Sequence, residues 1–142
     1  MGSRTMAWDR LGDYLHQTKI IGSIASTLYW DQNTRMPSGG AAWRGEQLAL
    51  LAIQLHSRQS SREYADLIQE ARVEWSHSGL ATTEQADRGR NLDLLEQDLG
   101  RQQALDPTLV AALATAKADG YNNWQQARAD SDFCLFAPSY AP

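Results

Sequence analysis

Apolar side chains recur along this chain at intervals of three and four, the period of a helix that buries one face. From about Trp8 to Trp30 they are Leu11, Tyr14, Leu15, Ile21, Ile24, Ala25 and Leu28, and they predict one long helix. It has to stop near Pro37, because proline disfavours helical geometry in the residue before it and Ser38-Gly39-Gly40 adds no helical preference. A second helix from about Ala41 to Leu55 sets Leu48, Leu51, Ala52 and Leu55 on one face, before the polar run Ser57-Arg58-Gln59-Ser60-Ser61. The short turn between the two predicts a helical hairpin.

The third segment, about Arg62 to Trp75, carries Tyr64, Leu67, Ile68, Ala71 and Trp75 at the same spacing and leaves through Ser76-His77-Ser78-Gly79. Thr82 followed by Gln85 matches a capping box and starts a fourth helix, which runs through Ala86, Leu92, Leu95 and Leu99 to about Gln103. Gly89 sits inside that helix at a cost in propensity. Asp106-Pro107 supplies an N-cap and a first-turn proline for a fifth helix, about Pro107 to Ala129, with Leu109, Val110, Leu113, Tyr121 and Trp124 as its predicted core residues. Asp130-Ser131-Asp132 resembles a further cap region, but the residues after Phe136 look too few for another element. No strand-like alternation intervenes. The fold class is all-α, a bundle of about five helices in a single domain over residues 1–142, with 1–5 either a native start or an appended leader.

Composition narrows the function. The 142 residues carry 13 Lys+Arg against 17 Asp+Glu, a formal charge of -4. The basic residues are scattered, whereas phosphates demand a concentrated positive footprint, so nucleic acid is excluded as a partner. No run approaches the ~20 apolar residues of a membrane span, no secretory signal opens the chain, and the lone Cys134 has no partner for an internal disulfide. Cytoplasm is therefore the expected compartment, with no membrane partner.

Candidate chemistry is sparse. A zinc hydrolase places about three protein ligands around an open position, often through two histidines at i and i+4. His16, His56 and His77 contain no such pair. They read as a surface residue, a helix C-terminal residue suited to the dipole, and a loop residue. Cys134, flanked by Phe133, Leu135 and Phe136, reads as a small core thiol rather than a nucleophile. Asp130 and Asp132 read as cap residues. No catalytic residue and no metal ligand set is assigned within this chain.

Two motifs carry a resemblance. Trp30-Asp31-Gln32-Asn33-Thr34-Arg35-Met36-Pro37 reads W-D-Q-x-T-x-M-P, followed by Arg44 and Gln47 in an A-x-R-x-x-Q pattern and by a helix that closes on the adjacent Leu55 and His56. Downstream, Trp124, Ala127 and Arg128, then Asp132, Phe133, Phe136 and Pro138, read W-x-x-A-R…D-F-x-x-F-x-P. Together they resemble the N-terminal part of the carboxypeptidase Taq family, from roughly Leu11 to Pro138. The resemblance implies a mostly helical, neurolysin-like fold with a substrate groove, of which this chain would be the first third or less. It also implies zinc or another divalent metal in the parent, held by an H-E-x-x-H motif beyond this stretch. The implied partners are a C-terminal catalytic region, peptide substrates and a second copy in a homodimer. On that footing the chain is an inactive helical region of a metallocarboxypeptidase. The alternative is a stand-alone interaction module built from the same fold.

The physics of the first motif is specific. Asp31 lies at a helix C-terminus and Arg44 at the next N-terminus, each opposing its dipole by about 0.3–1 kcal/mol. A hydrogen-bonded pair between them resolves both, and a structural role is preferred to a groove-lining one. Trp30, Met36 and Trp124 are expected to pack in the core.

Overall fold

The computed structural model describes residues 6–77 and 83–140. Among them are five long helices and no strand: α1 (Ala7–Thr34), α2 (Ala41–Gln59), α3 (Arg62–His77), α4 (Thr83–Gln103) and α5 (Pro107–Ala129). Short 3-10 turns at Ser38–Gly40 and Phe133–Leu135 and a four-residue helix α6 (Ala137–Tyr140) complete the order. The all-α expectation holds. The residues after Phe136 do form an element, α6, against expectation. Thr82 of the anticipated capping box lies outside the described residues, and none of the described helices is long and apolar enough to cross a membrane.

The chain divides into two compact units. The first takes α1 through Ile21, α2 from Leu55, and α3 and α4 to Asp106; the second takes Gly22 to Gln54 and the chain from Pro107. Helices α1 and α2 thus each contribute one part to either unit.

The first unit holds the main core. Leu11, Ile68 and Leu92 are fully buried, joined by Ala7, Tyr14, Tyr64 and Ala71, with Trp8, Leu67, Trp75 and Leu99 packed around them. Each large aliphatic side chain so buried contributes about 1.5–3 kcal/mol. Tyr14 and Tyr64 stack at 5.5 Å between ring centroids. The Arg58 guanidinium lies 4.1 Å over the Tyr14 ring and donates to Thr18 Oγ1 (3.0 Å) and the Tyr14 carbonyl (3.2 Å), while the Tyr14 hydroxyl donates to the Arg58 carbonyl (2.9 Å). This reciprocal contact joins α1 to α2. Arg72 joins α3 to α4, donating to Asp93 at 2.9 Å and pairing with Glu96 at 2.8 Å.

Gly89, an apparent flaw in α4, is buried where a Cβ would stand 2.7 Å from Cζ2 of Trp75. That indole cannot simply withdraw, because its Nε1 donates to the Gln85 carbonyl at 2.8 Å. Glycine lets α3 and α4 close on each other at a point where no side chain fits.

The second unit buries Leu48, Ala118, Ala127 and the polar Gln32. Helix α5 therefore packs through alanines, not through the leucines that its spacing nominated: Leu109 and Leu113 are exposed, as is Ile24 of α1. Small residues permit close helix approach, and Gly45 of α2 faces Ala118 in this way. Helix α5 ends with Ser131 at φ 54, the Asp132 N–H bonding the Ala127 carbonyl (2.9 Å) and the Ser131 N–H the Arg128 carbonyl (3.4 Å). This is a Schellman termination carried by serine instead of glycine.

Candidate functional site

The first motif occupies the end of α1 and the start of α2, within the second unit. Thr34 Oγ1 donates to the Trp30 carbonyl (2.7 Å), and the N–H groups of Arg35 and Met36 both reach the Asp31 carbonyl, at 2.9 and 3.0 Å. Extended geometry at Pro37 then redirects the chain into the Ser38–Gly40 turn. Met36 folds over that turn, its Cγ 3.2 Å from where a Cβ on Gly40 would stand, so Gly40 accommodates it.

Arg44, in the first turn of α2, makes three guanidinium hydrogen bonds, two of them across the hairpin. Nη2 donates to Asp31 Oδ2 (2.6 Å), Nη1 to the Leu28 carbonyl (2.5 Å) and Nε to Gln47 Oε1 (3.0 Å). The expected Asp31–Arg44 pair is present, and its side chains are only 35% and 12% exposed. The Leu28 carbonyl was not anticipated. No sequence signal marks it: Leu28 lies within the hydrogen-bond ladder of α1, and its carbonyl accepts from Arg44 as well, since an sp2 oxygen has two lone pairs. Gln32 is buried; its Nε2 reaches Asn122 Oδ1 of α5 at 3.4 Å, and its Oε1 meets no donor among the described residues.

The second motif lies on α5 and the turns after it. Arg128 stacks 5.2 Å from the Trp124 ring, which lies 5.7 Å from Tyr121. Asp132 caps the 3-10 turn by accepting from the Cys134 N–H (2.9 Å), as a cap residue should, and Phe133 meets Phe136 edge-on at 6.0 Å. Pro138 falls in the first turn of α6, where its missing N–H costs least.

The two motifs, far apart in sequence, meet. An open cleft of about 610 Å³ is lined by Tyr29 and Asn33 from α1, Lys117, Tyr121 and Trp124 from α5, and Phe136. Lys117 sits 4.9 Å from the Tyr29 ring centroid. Its lining is aromatic, with the Asn33 amide, the Ser139 hydroxyl and the Lys117 ammonium as polar groups.

Three expectations are corrected. Trp30 is 60% exposed and Trp124 is exposed too, so neither packs in a core. Cys134 is exposed, because the 3-10 turn turns Phe133 and Leu135 outward beside it. His77 closes α3 and is not in a loop; its Nδ1 lies 2.7 Å from the Val73 carbonyl. Of the other histidines, His16 is exposed on α1, whereas His56 is buried with Nδ1 3.3 Å from Gln102 Oε1. Among the described residues no three His, Cys, Asp or Glu side chains converge as a metal site requires, so this donor set does not fit a zinc ion.

Comparison with known proteins supplies a context for this arrangement. The family model described as carboxypeptidase Taq (M32) metallopeptidase matches residues 10–142. A curated relative, Thermostable carboxypeptidase 1 of Thermus thermophilus, is 26% identical over 132 residues, covering 93% of this chain. The chain spans 25% of that relative's length. No solved structure matches significantly.

Proposed function

Because the chain belongs to the carboxypeptidase Taq (M32) metallopeptidase family, we propose that it is the N-terminal helical region of a metal-dependent carboxypeptidase that removes C-terminal residues from peptides. The match across residues 10–142 carries this reading. The metal, zinc or another divalent ion, would supply the polarising charge from ligands outside this chain. The chain by itself is inactive. Its part is to form one wall of the groove, with Asp31 and Arg44 holding the α1–α2 angle and the Trp124 cleft facing peptide. The parent adopts a neurolysin-like fold and works in the cytoplasm.

The product of the full reading frame and this chain alone, both assayed on a blocked peptide, test the proposal. The full product is expected to release the C-terminal residue and to lose activity on chelation, and this chain to release nothing. Hydrolysis by the chain that chelation abolishes overturns its inactivity. A full product that cannot cleave overturns the carboxypeptidase assignment.

One observation favours a second reading. Trp30, Trp43, Leu50, Leu113 and Phe133, all in the second unit, are more than half exposed, and where exposed apolar side chains form a contiguous patch they find partners. In a stand-alone interaction module a second copy would cover them, where in the peptidase the C-terminal catalytic region would. A monomer in light scattering that binds no hydrophobic dye removes this second reading.

A further inference from the structure

The first unit contains a cleft of about 450 Å³ that no motif predicts, between α1, the end of α2, α3 and α4. Its size falls in the range of about 300–1,000 Å³ typical of small-molecule sites. Leu15 and Leu95 give it apolar walls, and Lys19, Asp98 and Arg101 stand around it. Asp98 and Arg101 pair with each other, Nη1 to Oδ1 at 3.0 Å.

Tyr64 also lines this cleft and is only 5% exposed. Its ring stacks on Tyr14, yet its hydroxyl makes no hydrogen bond to any described residue. Burial, with Asp98 and Tyr14 adding to it, pushes Tyr64 up to about 12, so it keeps its proton and can donate.

We propose that this cleft binds a free apolar α-amino acid, with its carboxylate at Lys19, Arg101 and the Tyr64 hydroxyl, its ammonium at Asp98, and its side chain against Leu15 and Leu95. Two cations against one carboxylate favour a ligand that presents an anionic group. The neighbouring opposite charges of Asp98 and Arg101 match the closely spaced opposite charges of a zwitterion. A simple fatty acid would leave Asp98 unanswered, and an amine would leave the two cations and the phenol unanswered.

The ligand class comes from the cleft's own lining and does not depend on the peptidase reading, since binding is read on this chain without any catalysis. The test is an amide chemical-shift titration of the isotope-labelled chain with L-leucine, L-leucinamide and N-acetyl-L-leucine. L-leucine is expected to give saturable shifts around Leu15, Lys19, Tyr64 and Leu95 with a Kd of about 1 mM or tighter. The amide lacks the carboxylate and the acetylated form lacks the ammonium, so each should bind about tenfold more weakly. Lys19→Met, a change at an exposed position, should weaken L-leucine about tenfold while leaving the rest of the spectrum in place. Absence of saturable shifts with L-leucine up to about 20 mM overturns the proposal. Equal binding of the three ligands, or shifts confined to other residues, also overturns it.

Discussion

Replacing Gly89 by alanine sets two effects against each other with opposite signs. In an open helix interior the change gains about 0.8–1.0 kcal/mol, because alanine orders at lower entropic cost. At Gly89 the new Cβ would lie 2.7 Å from Trp75 Cζ2 and 3.2 Å from Cε2, against a normal carbon contact of about 3.5–4.0 Å. Overpacking of this kind costs about 1–3 kcal/mol. Moving the indole away stretches the bond from Nε1 to the Gln85 carbonyl, itself worth about 1 kcal/mol. The steric side wins, and Gly89→Ala should destabilise by about 1–2 kcal/mol. Gly12, within α1 with nothing near its missing Cβ, provides the control, and Gly12→Ala should gain up to about 1 kcal/mol. Urea unfolding followed by far-UV circular dichroism measures both, and combining Gly89→Ala with Trp75→Phe should recover at least about 1 kcal/mol as coupling. A Gly89→Ala protein as stable as the parent chain would refute the steric argument.

Two further predictions concern charge. Asp31→Ala leaves the Arg44 guanidinium, 12% exposed, with two acceptors in place of three; between the small worth of surface pairs and the large cost of breaking buried ones, a loss of about 1–3 kcal/mol is expected in urea unfolding. Arg44→Lys should lose nearly as much, because an ammonium cannot reproduce the fork, and unchanged stability in either variant would remove the structural role of the pair. Tyr64 releases its proton at about 12 when folded, against 10.0 for a free phenol, so between those values the folded state holds the proton more tightly. The associated stability is complete below pH about 10 and is lost as pH rises toward about 12, amounting to about 2–3 kcal/mol. Tyr64→Phe has no proton to lose there and should show a correspondingly shallower alkaline decline; parallel profiles would refute the assignment.

The helices were legible because period and punctuation agreed: Pro37, Asp106-Pro107 and the glycine-serine runs bound segments whose apolar spacing is helical. The Asp31–Arg44 pair was legible for a different reason, since two charges each wrongly placed for their own helix dipole imply one another. What escaped was packing. Leu109 and Leu113 have helical spacing and still face outward, because α5 is held through Ala118 and Ala127, and a pattern of apolar positions does not say which of two apolar faces is the tight one. Cys134 was misjudged because flanking aromatics signal burial only when the backbone is regular, and here a 3-10 turn turns them out. Gly89 looked like a defect for want of its partner Trp75, fourteen positions earlier. The cleft at Tyr64 draws on four helices, and its residues share no local pattern.

Each compact unit is assembled from two separate stretches of sequence, interleaved so that the chain passes from the first unit to the second, back, and out again. As the polypeptide leaves the ribosome, the first unit cannot be completed until Asp106 has emerged, by which time a large part of the second unit's share is already waiting without its other segment. A single cut anywhere between Ile21 and Pro107 deprives at least one unit of part of itself, so neither can be obtained by trimming an end. Two of the three passages lie inside α1 and α2 rather than in linkers, and a protease seeking a boundary finds helix there.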